Sequence, residues 1–279
     1  MIALRANRWR ARGIRAGRAL AAALLLACGG GARAAGADGM DLDLWAKLLE
    51  RHTRSVSDLA GTRVDYAALG RDPDWRRLVG GLAAAPEPAA GAPRAERLAY
   101  WINVYNVLAI DVVVRAWPLR SIRDAGSLLR PVWKREAGRV GGRAVTLDEI
   151  EHAILRPLGD PRIHAAIVCA STSCPSLARE PFRAERVDAQ LDAAARAFVA
   201  DRGKGVRLEG AGLRLSRIFE WFGPDFASQQ AQGRSGVLGF VRRHADAELA
   251  AAIDRLGDDP PLAYFDYDWS LNGIGPASR

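Results

Sequence analysis

The chain has 279 residues with 40 Lys+Arg against 32 Asp+Glu, a formal net charge of +8. Seven of the basic residues and none of the acidic ones lie in residues 1–34, so residues 35–279 carry 33 basic and 32 acidic side chains. No basic patch with interleaved aromatics remains in that part, and we predict no nucleic-acid partner. The 49% content of hydrophobic residues supports a sizeable core and excludes a disordered chain.

Residues 1–34 have the three-part pattern of a secretory signal. An arginine-rich start is followed by an apolar run over residues 19–27 and a small-residue cleavage site ending at Ala34. This run is too short to cross a bilayer as a helix, which takes about 20 apolar residues. The pattern predicts an exported, periplasmic protein whose mature part, residues 35–279, is one domain.

A second interpretation of the same segment is a lipoprotein signal. Residues 25–29 resemble a lipoprotein box, in which the signal ends at residue 27 and Cys28 becomes the lipidated N-terminus. The protein would then be an outer-membrane lipoprotein. Membrane anchoring is expected only in that case, since no stretch after Leu26 is long and apolar enough to span a membrane.

The spacing of apolar residues predicts a helix-rich mature domain. Helices are expected over residues 41–53, 73–84, 94–117, 147–155, 187–199, 235–245 and 247–256. The third of these is apolar nearly all round from Leu98 onward, which predicts a buried central helix that ends before Pro118.

The remaining segments predict a small sheet. Hairpins are expected over residues 133–145, turning at Gly141-Gly142, and over residues 206–215, turning at Gly210. A buried strand is expected over residues 163–169 and a last strand over residues 264–268. The predicted fold is α+β, a helix-rich single domain with a small mixed or antiparallel β-sheet.

Five strings spread along the mature part carry a family resemblance. They are YWINVYN at 100–106, LDEIEHAILRP at 147–157, RIHAAIVCASTSCPSL at 162–177, SRIFEWF at 216–222 and YFDYDWSLN at 264–272. In this order they resemble the domain-of-unknown-function family 547 (DUF547), from about residue 44 to residue 272. The resemblance implies a bacterial envelope protein and carries no established activity, so the function must be argued from the residues.

Cys174 is the candidate catalytic nucleophile. It precedes Pro175, which suits the first position of a helix, and a helix N-terminus lowers the pKa of a thiol and favours the nucleophilic thiolate. His164, or alternatively His152, would be the catalytic base. Two interpretations compete with it: a disulfide between Cys169 and Cys174, because export favours oxidation, and an inert buried thiol.

Several polar side chains are secondary candidates. Ser171 and Ser173 put further donors into the loop of Cys174. Asn103 and Asn106 are amides on an otherwise apolar helix, and they either line the same pocket or lock the fold through hydrogen bonds. His152 follows Asp148 by four residues, so the carboxylate could orient the imidazole.

The sequence predicts neither a cofactor nor a strong metal site. Asp266 and Asp268 share one face of the predicted last strand and are weak candidates for a divalent cation, with pairing to Arg156 or Arg162 as the alternative. Zinc spacing, a Walker loop, a dinucleotide glycine fingerprint and a Gly-x-Ser-x-Gly elbow do not occur.

Two functional hypotheses follow. The first is a thiol-dependent hydrolase or acyl transferase that acts on an amide or ester, with an unknown small-molecule or envelope substrate. The second is a non-catalytic envelope binding or scaffold domain in which Cys169 and Cys174 form a local disulfide. The redox state of the two cysteines distinguishes them.

Overall fold

The described helices follow the predicted order closely. The computed structural model describes residues 39–257 and 259–275, so the predicted signal segment, including Cys28, lies outside the described residues. The α-helices are α1 (Leu42–His52), α2 (Tyr66–Arg71), α3 (Pro73–Ala84), α4 (Arg94–Ala116), α5 (Val187–Ala200), α6 (Arg217–Trp221), α7 (Gly236–His244) and α8 (Ala247–Arg255). A π-helix, Glu149–Leu155, and several 3-10 turns complete the helical part.

The strands are short and form four small sheets. They are β1 (Thr53–Ser55), β2 (Thr62–Val64), β3 (Glu136–Val140), β4 (Arg143–Thr146), β5 (Val206–Glu209), β6 (Gly212–Leu215), β7 (Gln230–Ala231), β8 (Arg234–Ser235) and β9 (Leu262–Tyr264). Four consecutive pairs are antiparallel, and β9 adds to β6 in parallel. The prediction of a helix-rich α+β domain is thus confirmed, with several small sheets in place of one.

Helix α4 is the centre of the core. Every residue from Leu98 to Val113 is buried, because α2, α3, α5, β3 and the π-helix pack around it. The prediction of a buried central helix is confirmed. The expectation that no stretch after Leu26 is long and apolar enough to span a membrane is wrong for α4, the one described helix that meets both criteria. However, 89% of its most apolar window is buried inside the protein, as in the core helix of a globular domain.

Two predicted hairpins form where glycine permits the turn. Gly141 and Gly142 have φ angles of +56° and +80°, in the left-handed region that glycine adopts without steric cost, and they join β3 to β4. Gly210, with φ +60°, joins β5 to β6. The first hairpin leads into the π-helix, whose start is capped by the Thr146 hydroxyl, an acceptor for the Glu149 N–H at 3.0 Å.

The predicted strand over residues 163–169 is wrong. Pro161–Ala165 is instead a 3-10 helix, which begins where the Asp160 carboxylate accepts the Arg162 N–H. Residues 166–169, which follow it, pair with no described strand. Their backbone bonds to the Asn106 side chain instead, which donates to the Ala166 carbonyl at 3.0 Å and accepts from the Val168 N–H at 2.8 Å. A side chain therefore takes the place of a neighbouring strand.

The predicted last strand is shifted. Strand β9 ends at Tyr264, and the chain then leaves the sheet as an extended C-terminal segment over residues 265–275. This segment pairs with the cysteine loop, residues 169–174. Thr172 N–H donates to the Ser270 carbonyl at 2.8 Å and Asn272 N–H donates to the Ala170 carbonyl at 3.0 Å. The pairing fixes the loop from outside the core.

Candidate active site

One cavity brings together the predicted nucleophile and both predicted bases. Its volume is about 360 Å³, and Cys174, His164 and His152 all line it, together with Cys169. Its remaining walls come from α4, the 3-10 turn Val132–Lys134, the π-helix, α6 and the C-terminal segment. They are rich in aromatic rings: Tyr105, Trp133, Trp221, Phe222, Tyr267 and Trp269. Such a cavity, apolar with a few convergent polar groups, is typical of a small-molecule site.

The Cys174 thiol is surrounded by hydrogen-bond donors. Its Sγ atom lies 3.2 Å from the Cys169 backbone nitrogen and 2.8 Å from the Cys169 Sγ atom. The hydroxyl oxygens of Ser171 and Tyr267 lie 3.3 Å and 3.2 Å from it. Both cysteines are free thiols in this structure.

These contacts make the two thiols unequal. Burial raises the pKa of Cys174, but hydrogen bonds from the Cys169 thiol, Ser171, Tyr267 and the Cys169 N–H lower it by more, so the net pKa lies below its ordinary value. The pKa of Cys169 is raised well above the ordinary value by its hydrogen bond to Cys174 and by burial. Cys174 is therefore the member of the pair that ionises first.

The expected helix at Pro175 does not form. The chain continues without helix after Cys174, so no helix N-terminus acts on the thiol, and the side chains named above take that role. The loop holds its shape at some cost, because Ala170 has φ +62°, a left-handed conformation that non-glycine residues rarely adopt. Such backbone strain is concentrated at functional sites in other proteins.

A buried lysine supports the loop from beneath. The Lys204 ammonium donates to the Ala60 carbonyl at 3.0 Å and lies 3.5 Å from the Thr172 carbonyl oxygen. Burial lowers the pKa of Lys204, which is 3% exposed. This residue ties the cysteine loop to the segment between β1 and β2 and does not line the cavity.

Glu151 is a buried carboxyl group in the cavity wall. It is 8% exposed, and burial raises its pKa to about 7 against the partial opposition of a hydrogen bond from the Tyr105 hydroxyl. The Tyr105 oxygen lies 3.3 Å from Oε2 of Glu151. A carboxyl group with a pKa near neutrality can both give and accept a proton, which suits general acid–base work.

His164 is oriented by a carboxylate from a distant segment. Its Nε2 atom lies 2.8 Å from Oδ2 of Asp225, and Arg156 donates two hydrogen bonds of 2.7 Å to the same carboxylate. Phe222 stacks on the imidazole with ring centroids 4.1 Å apart. Because ionised Asp225 only accepts, Nε2 carries the proton and Nδ1 keeps a lone pair.

Burial keeps the His164 ring neutral. It lowers the pKa of His164 to about 4, and the hydrogen bond to Asp225 opposes this only in part. No hydrogen bond joins His164 to Cys174 among the described residues. The neutral ring therefore contributes no positive charge that would lower the thiol pKa at neutral pH.

His152 lies at the more exposed side of the cavity. Its Nδ1 atom accepts from Arg156 at 2.9 Å, and its Nε2 atom is 3.8 Å from Oδ1 of Asp148, the carboxylate expected beside it from the i,i+4 spacing. The side chains of His152 and Asp148 are 42% and 39% exposed, so this contact lies at the surface.

Three of the four secondary candidates have structural hydrogen bonds away from the cavity. Asn103 bonds to the backbone carbonyl and N–H of Phe182, and Asn106 bonds to the backbone of residues 166 and 168. The Ser173 hydroxyl accepts the Asp268 N–H at 2.9 Å. Of these four residues, only Ser171 contacts the Cys174 thiol. Each of the two amides satisfies its buried polar atoms through backbone groups, so neither lines the cavity.

The two candidate aspartates lie at the surface, away from the cavity lining. Asp266 and Asp268 lie beyond β9 and are exposed, and Asp268 accepts the Ser270 N–H at 2.9 Å. Arg156 pairs with Asp225, and Arg162 pairs with Asp160, Asp188 and Asp192. No group of three or more His, Cys, Asp or Glu suited to a metal occurs within residues 39–257 and 259–275.

Three site residues escaped the sequence analysis. Glu151 reads as one of several charged residues on a short helix, Asp225 follows a Gly-Pro turn, and Tyr267 stands in an aromatic cluster near the C-terminus. Their contacts span 46, 61 and 93 residues along the chain. The one local signal is the density of aromatic residues around Tyr267, which is typical of a cavity wall.

The comparisons with known proteins agree with the family resemblance. The family model described as "Protein of unknown function, DUF547" matches residues 89–199, and the predicted resemblance is confirmed there. The matched stretch holds Glu151, His152, His164 and the two cavity cysteines. Asp225 and Tyr267 lie beyond it. No curated protein and no solved structure matches the chain.

Proposed function

We propose that the protein is a thiol-dependent hydrolase or acyl transferase that acts on an amide or ester, with Cys174 as the nucleophile. The observation that carries the proposal is the environment of the Cys174 sulfur. It lines a cavity of about 360 Å³ and lies within 3.3 Å of three protein donors other than the neighbouring thiol. Thiolate is the reactive form of cysteine, and these donors stabilise it.

The first half of the reaction is acylation. The Cys174 thiolate attacks the substrate carbonyl carbon, a C–S bond forms and the carbonyl oxygen takes the negative charge. Collapse of this intermediate breaks the bond to the leaving amine or alcohol, which takes up a proton. Glu151, with a pKa raised to about 7 by burial, is partly protonated at neutral pH and supplies that proton.

The second half releases the acyl group. Water, or an acceptor amine or alcohol, attacks the thioester carbonyl while a base removes its proton, and the C–S bond breaks to regenerate the thiolate. Nδ1 of His164 is the candidate base, because its ring is neutral and Asp225 holds Nε2 as the donor nitrogen. In this proposal His164 is the base of the deacylation step and does not activate the thiol.

The aromatic walls support an apolar substrate portion. Trp221, Tyr267 and Trp269 form one cluster with ring centroids 4.6–5.9 Å apart, and Trp133 packs on Trp269 at 5.5 Å. Flat apolar surfaces of this kind bind hydrocarbon or ring groups.

Reaction with p-nitrophenyl acetate tests the proposal. We expect a burst of nitrophenol, followed by slower turnover, with an acetyl group on Cys174 located by mass spectrometry of the intact and digested protein. Cys174→Ser should lose both the burst and the adduct. Cys169→Ala is the control: it removes one of the hydrogen bonds to the Cys174 sulfur but keeps the nucleophile, so the burst and the adduct on Cys174 should remain.

The alternative is the binding or scaffold domain with a local disulfide. The 2.8 Å separation of the two Sγ atoms favours it, because little movement would bring them to bonding distance. Absence of an acetyl adduct on reduced protein, together with a quantitative Cys169–Cys174 disulfide in protein isolated without reductant, would replace the enzyme proposal by this one.

We also propose that the protein is exported to the cell envelope. The support is the arginine-rich start, the apolar run and the small-residue site within residues 1–34. N-terminal sequencing of the mature protein should begin at Ala35, or find a lipidated Cys28 in the lipoprotein case. Cytoplasmic protein that keeps its full N-terminus would contradict export.

A further inference from the structure

Two leucines project from a turn near the cavity. Leu128 and Leu129 are 99% and 96% exposed, more than any other large hydrophobic residue among the described ones. They are the central residues of a turn closed by two hydrogen bonds: Ser127 N–H donates to the Arg130 carbonyl at 3.0 Å, and Arg130 N–H donates to the Ser127 hydroxyl at 3.1 Å. Single exposed leucines are ordinary, but an adjacent pair held outward by an ordered turn is not.

The turn stands in a strongly basic segment. Residues 119–135 contain five basic side chains, Arg120, Arg123, Arg130, Lys134 and Arg135, against one acidic side chain, Asp124. The other residues between 35 and 279 hold 28 basic against 31 acidic side chains, so the positive charge of this part is concentrated around the leucines. All five basic residues are exposed.

Little of this charge is neutralised within the protein. Among the described residues no ion pair is formed by Arg120, Arg123, Arg130 or Lys134. The Asp124 carboxylate instead accepts the backbone N–H groups of Arg120 and Ser121, at 3.2 Å and 3.0 Å. The guanidinium of Arg123 lies 5.3 Å from the centre of the Trp269 ring, which keeps a cation and an indole side by side at the surface.

The turn and the cavity share a wall. A surface depression of about 800 Å³ beside the turn is lined by Leu128, Trp133 and Trp269, and both tryptophans also line the 360 Å³ cavity. Indole rings prefer the boundary between hydrocarbon and water, because one edge is apolar and the N–H is polar. Leu128 therefore lines a depression that is separated from the cavity only by the shared indole wall.

We propose that the segment 119–135 docks the protein on an anionic lipid surface, with Leu128 and Leu129 inserted among the acyl chains and the basic residues at the headgroups. A lipid surface fits better than a protein partner. Two side chains at a tip cannot supply the roughly 800 Å² per partner that a stable protein interface buries. A bilayer, in contrast, can take up two apolar side chains, and each Lys or Arg near its anionic headgroups strengthens the binding. This proposal does not depend on the proposed reaction, since vesicle binding is measured without turnover.

Co-sedimentation with vesicles tests the docking. The full chain is mixed with vesicles of phosphatidylcholine alone and of phosphatidylcholine containing about one third phosphatidylglycerol, since anionic lipid attracts basic segments. We expect tighter binding to the anionic vesicles that weakens as salt rises from about 0.05 M to about 0.5 M. Leu128→Ser combined with Leu129→Ser should weaken binding by about tenfold or more, the effect of about 1.4 kcal/mol of lost burial.

A matched variant controls for loss of surface leucines in general. Leu208 and Leu262 are 39% and 41% exposed and lie in the β5-β6-β9 sheet, so changing both to Ser should leave vesicle binding unchanged. All variants keep the same N-terminus, and its contribution cancels in the comparison. Equal binding by the wild type and the Leu128/Leu129 variant would overturn the proposal.

Hydrogen exchange gives a local readout in the same full chain. Anionic vesicles should slow exchange of the amides around residues 127–130 and leave the β5–β6 hairpin unaffected. Failure to slow exchange at the turn would overturn the docking. So would a wild type that elutes as a dimer while the Leu128/Leu129 variant elutes as a monomer, because the leucines would then cover a second copy of the chain.

Discussion

The Tyr267 hydroxyl lies 3.2 Å from the Sγ atom of Cys174, although 93 residues separate the two in sequence. Burial raises the pKa of Tyr267 well above its ordinary value, so the phenol keeps its proton and donates it toward the sulfur. Because the backbone of the C-terminal segment bonds to the cysteine loop through residues 268, 270 and 272, directly after this contact, the donor is held in place and the thiolate is stabilised before a substrate arrives.

Thiol alkylation measures this stabilisation. With iodoacetamide on reduced protein, we expect Cys174 to react before Cys169 despite its deeper burial, because the Cys174 pKa is lowered and the Cys169 pKa is raised. The alkylation rate of Cys174 should level off at a pH below that of an ordinary thiol, about 8.5. Tyr267→Phe removes one hydrogen-bond donor to the sulfur and should move the midpoint of this pH–rate curve to higher pH. The rates are read separately for each cysteine by mass spectrometry.

Tyr264→Phe is the control for this measurement, since Tyr264 lies in β9 away from the sulfur and its loss should leave the midpoint unchanged. Preferential labelling of Cys169, or an unchanged midpoint in Tyr267→Phe, would show that the hydroxyl does not stabilise the thiolate.

Glu151 should make stability depend on pH. Its folded-state pKa of about 7 lies above the ordinary 4.5, so the folded protein holds the extra proton between these values. Stability is then lost as pH rises from about 5 to about 7, because burying the ionised form is unfavourable. The loss has an upper bound of about 3 kcal/mol, from 1.36 kcal/mol per unit of pKa shift. Glu151→Gln should remove this loss of stability with rising pH.

Urea unfolding at pH 5 and pH 8 is the measurement for this prediction. Relative to the wild type, Glu151→Gln should have a higher unfolding free energy at pH 8 than at pH 5. Glu149→Gln, on the same π-helix but ion-paired with Arg143 at the surface, should show no such change. A Glu151→Gln difference that is the same at both pH values would refute the buried-carboxyl explanation.

The core prediction concerns Leu108 in the middle of α4. Its side chain is fully buried and packs toward Gly138, where a Cβ atom would meet Leu108 Cδ2 at 2.5 Å. Leu108→Ala should lower the unfolding free energy by about 2–5 kcal/mol, the usual range for large-to-small changes in a core. In the same denaturant titration, Leu208→Ala at the surface should change it by less than about 0.5 kcal/mol. Similar losses for the two variants would show that α4 is not central.

Asp225 is predicted to position His164. Asp225→Asn leaves the shape intact but removes the charge that fixes the imidazole tautomer and pairs with Arg156. If His164 is the deacylation base, turnover of p-nitrophenyl acetate should fall by roughly 10²-fold, while the initial burst is retained. The ¹⁵N chemical shifts of the His164 ring should report a mixture of tautomers in place of one.

Asp192→Asn is the matched control, because Asp192 pairs with Arg162 outside the cavity. It should preserve both the turnover rate and the His164 ring shifts. An Asp225→Asn variant with altered ring shifts and normal turnover would remove His164 from the reaction.

Local sequence determined the helices and hairpins of this protein. Apolar spacing defined α1, α3, α4 and α5, and turn glycines defined the hairpins, because each pattern depends on residues within about one or two turns of each other. The all-round apolar character of α4 was sufficient to place it in the core. The same local evidence selected Cys174 and His164 as site candidates.

Tertiary structure alone decided how the site is built. The apolar run at 163–169 is equally compatible with a strand, and the absence of a neighbouring strand together with the Asn106 amide fixed its path. The donor to Cys174, the carboxylate beside His164 and the Tyr105 hydroxyl that donates to Glu151 come from chain segments 46 to 93 residues away. Hydrogen bonds over such separations have no sequence period, because they depend on which surfaces the core brings together and not on the spacing of residues along the chain.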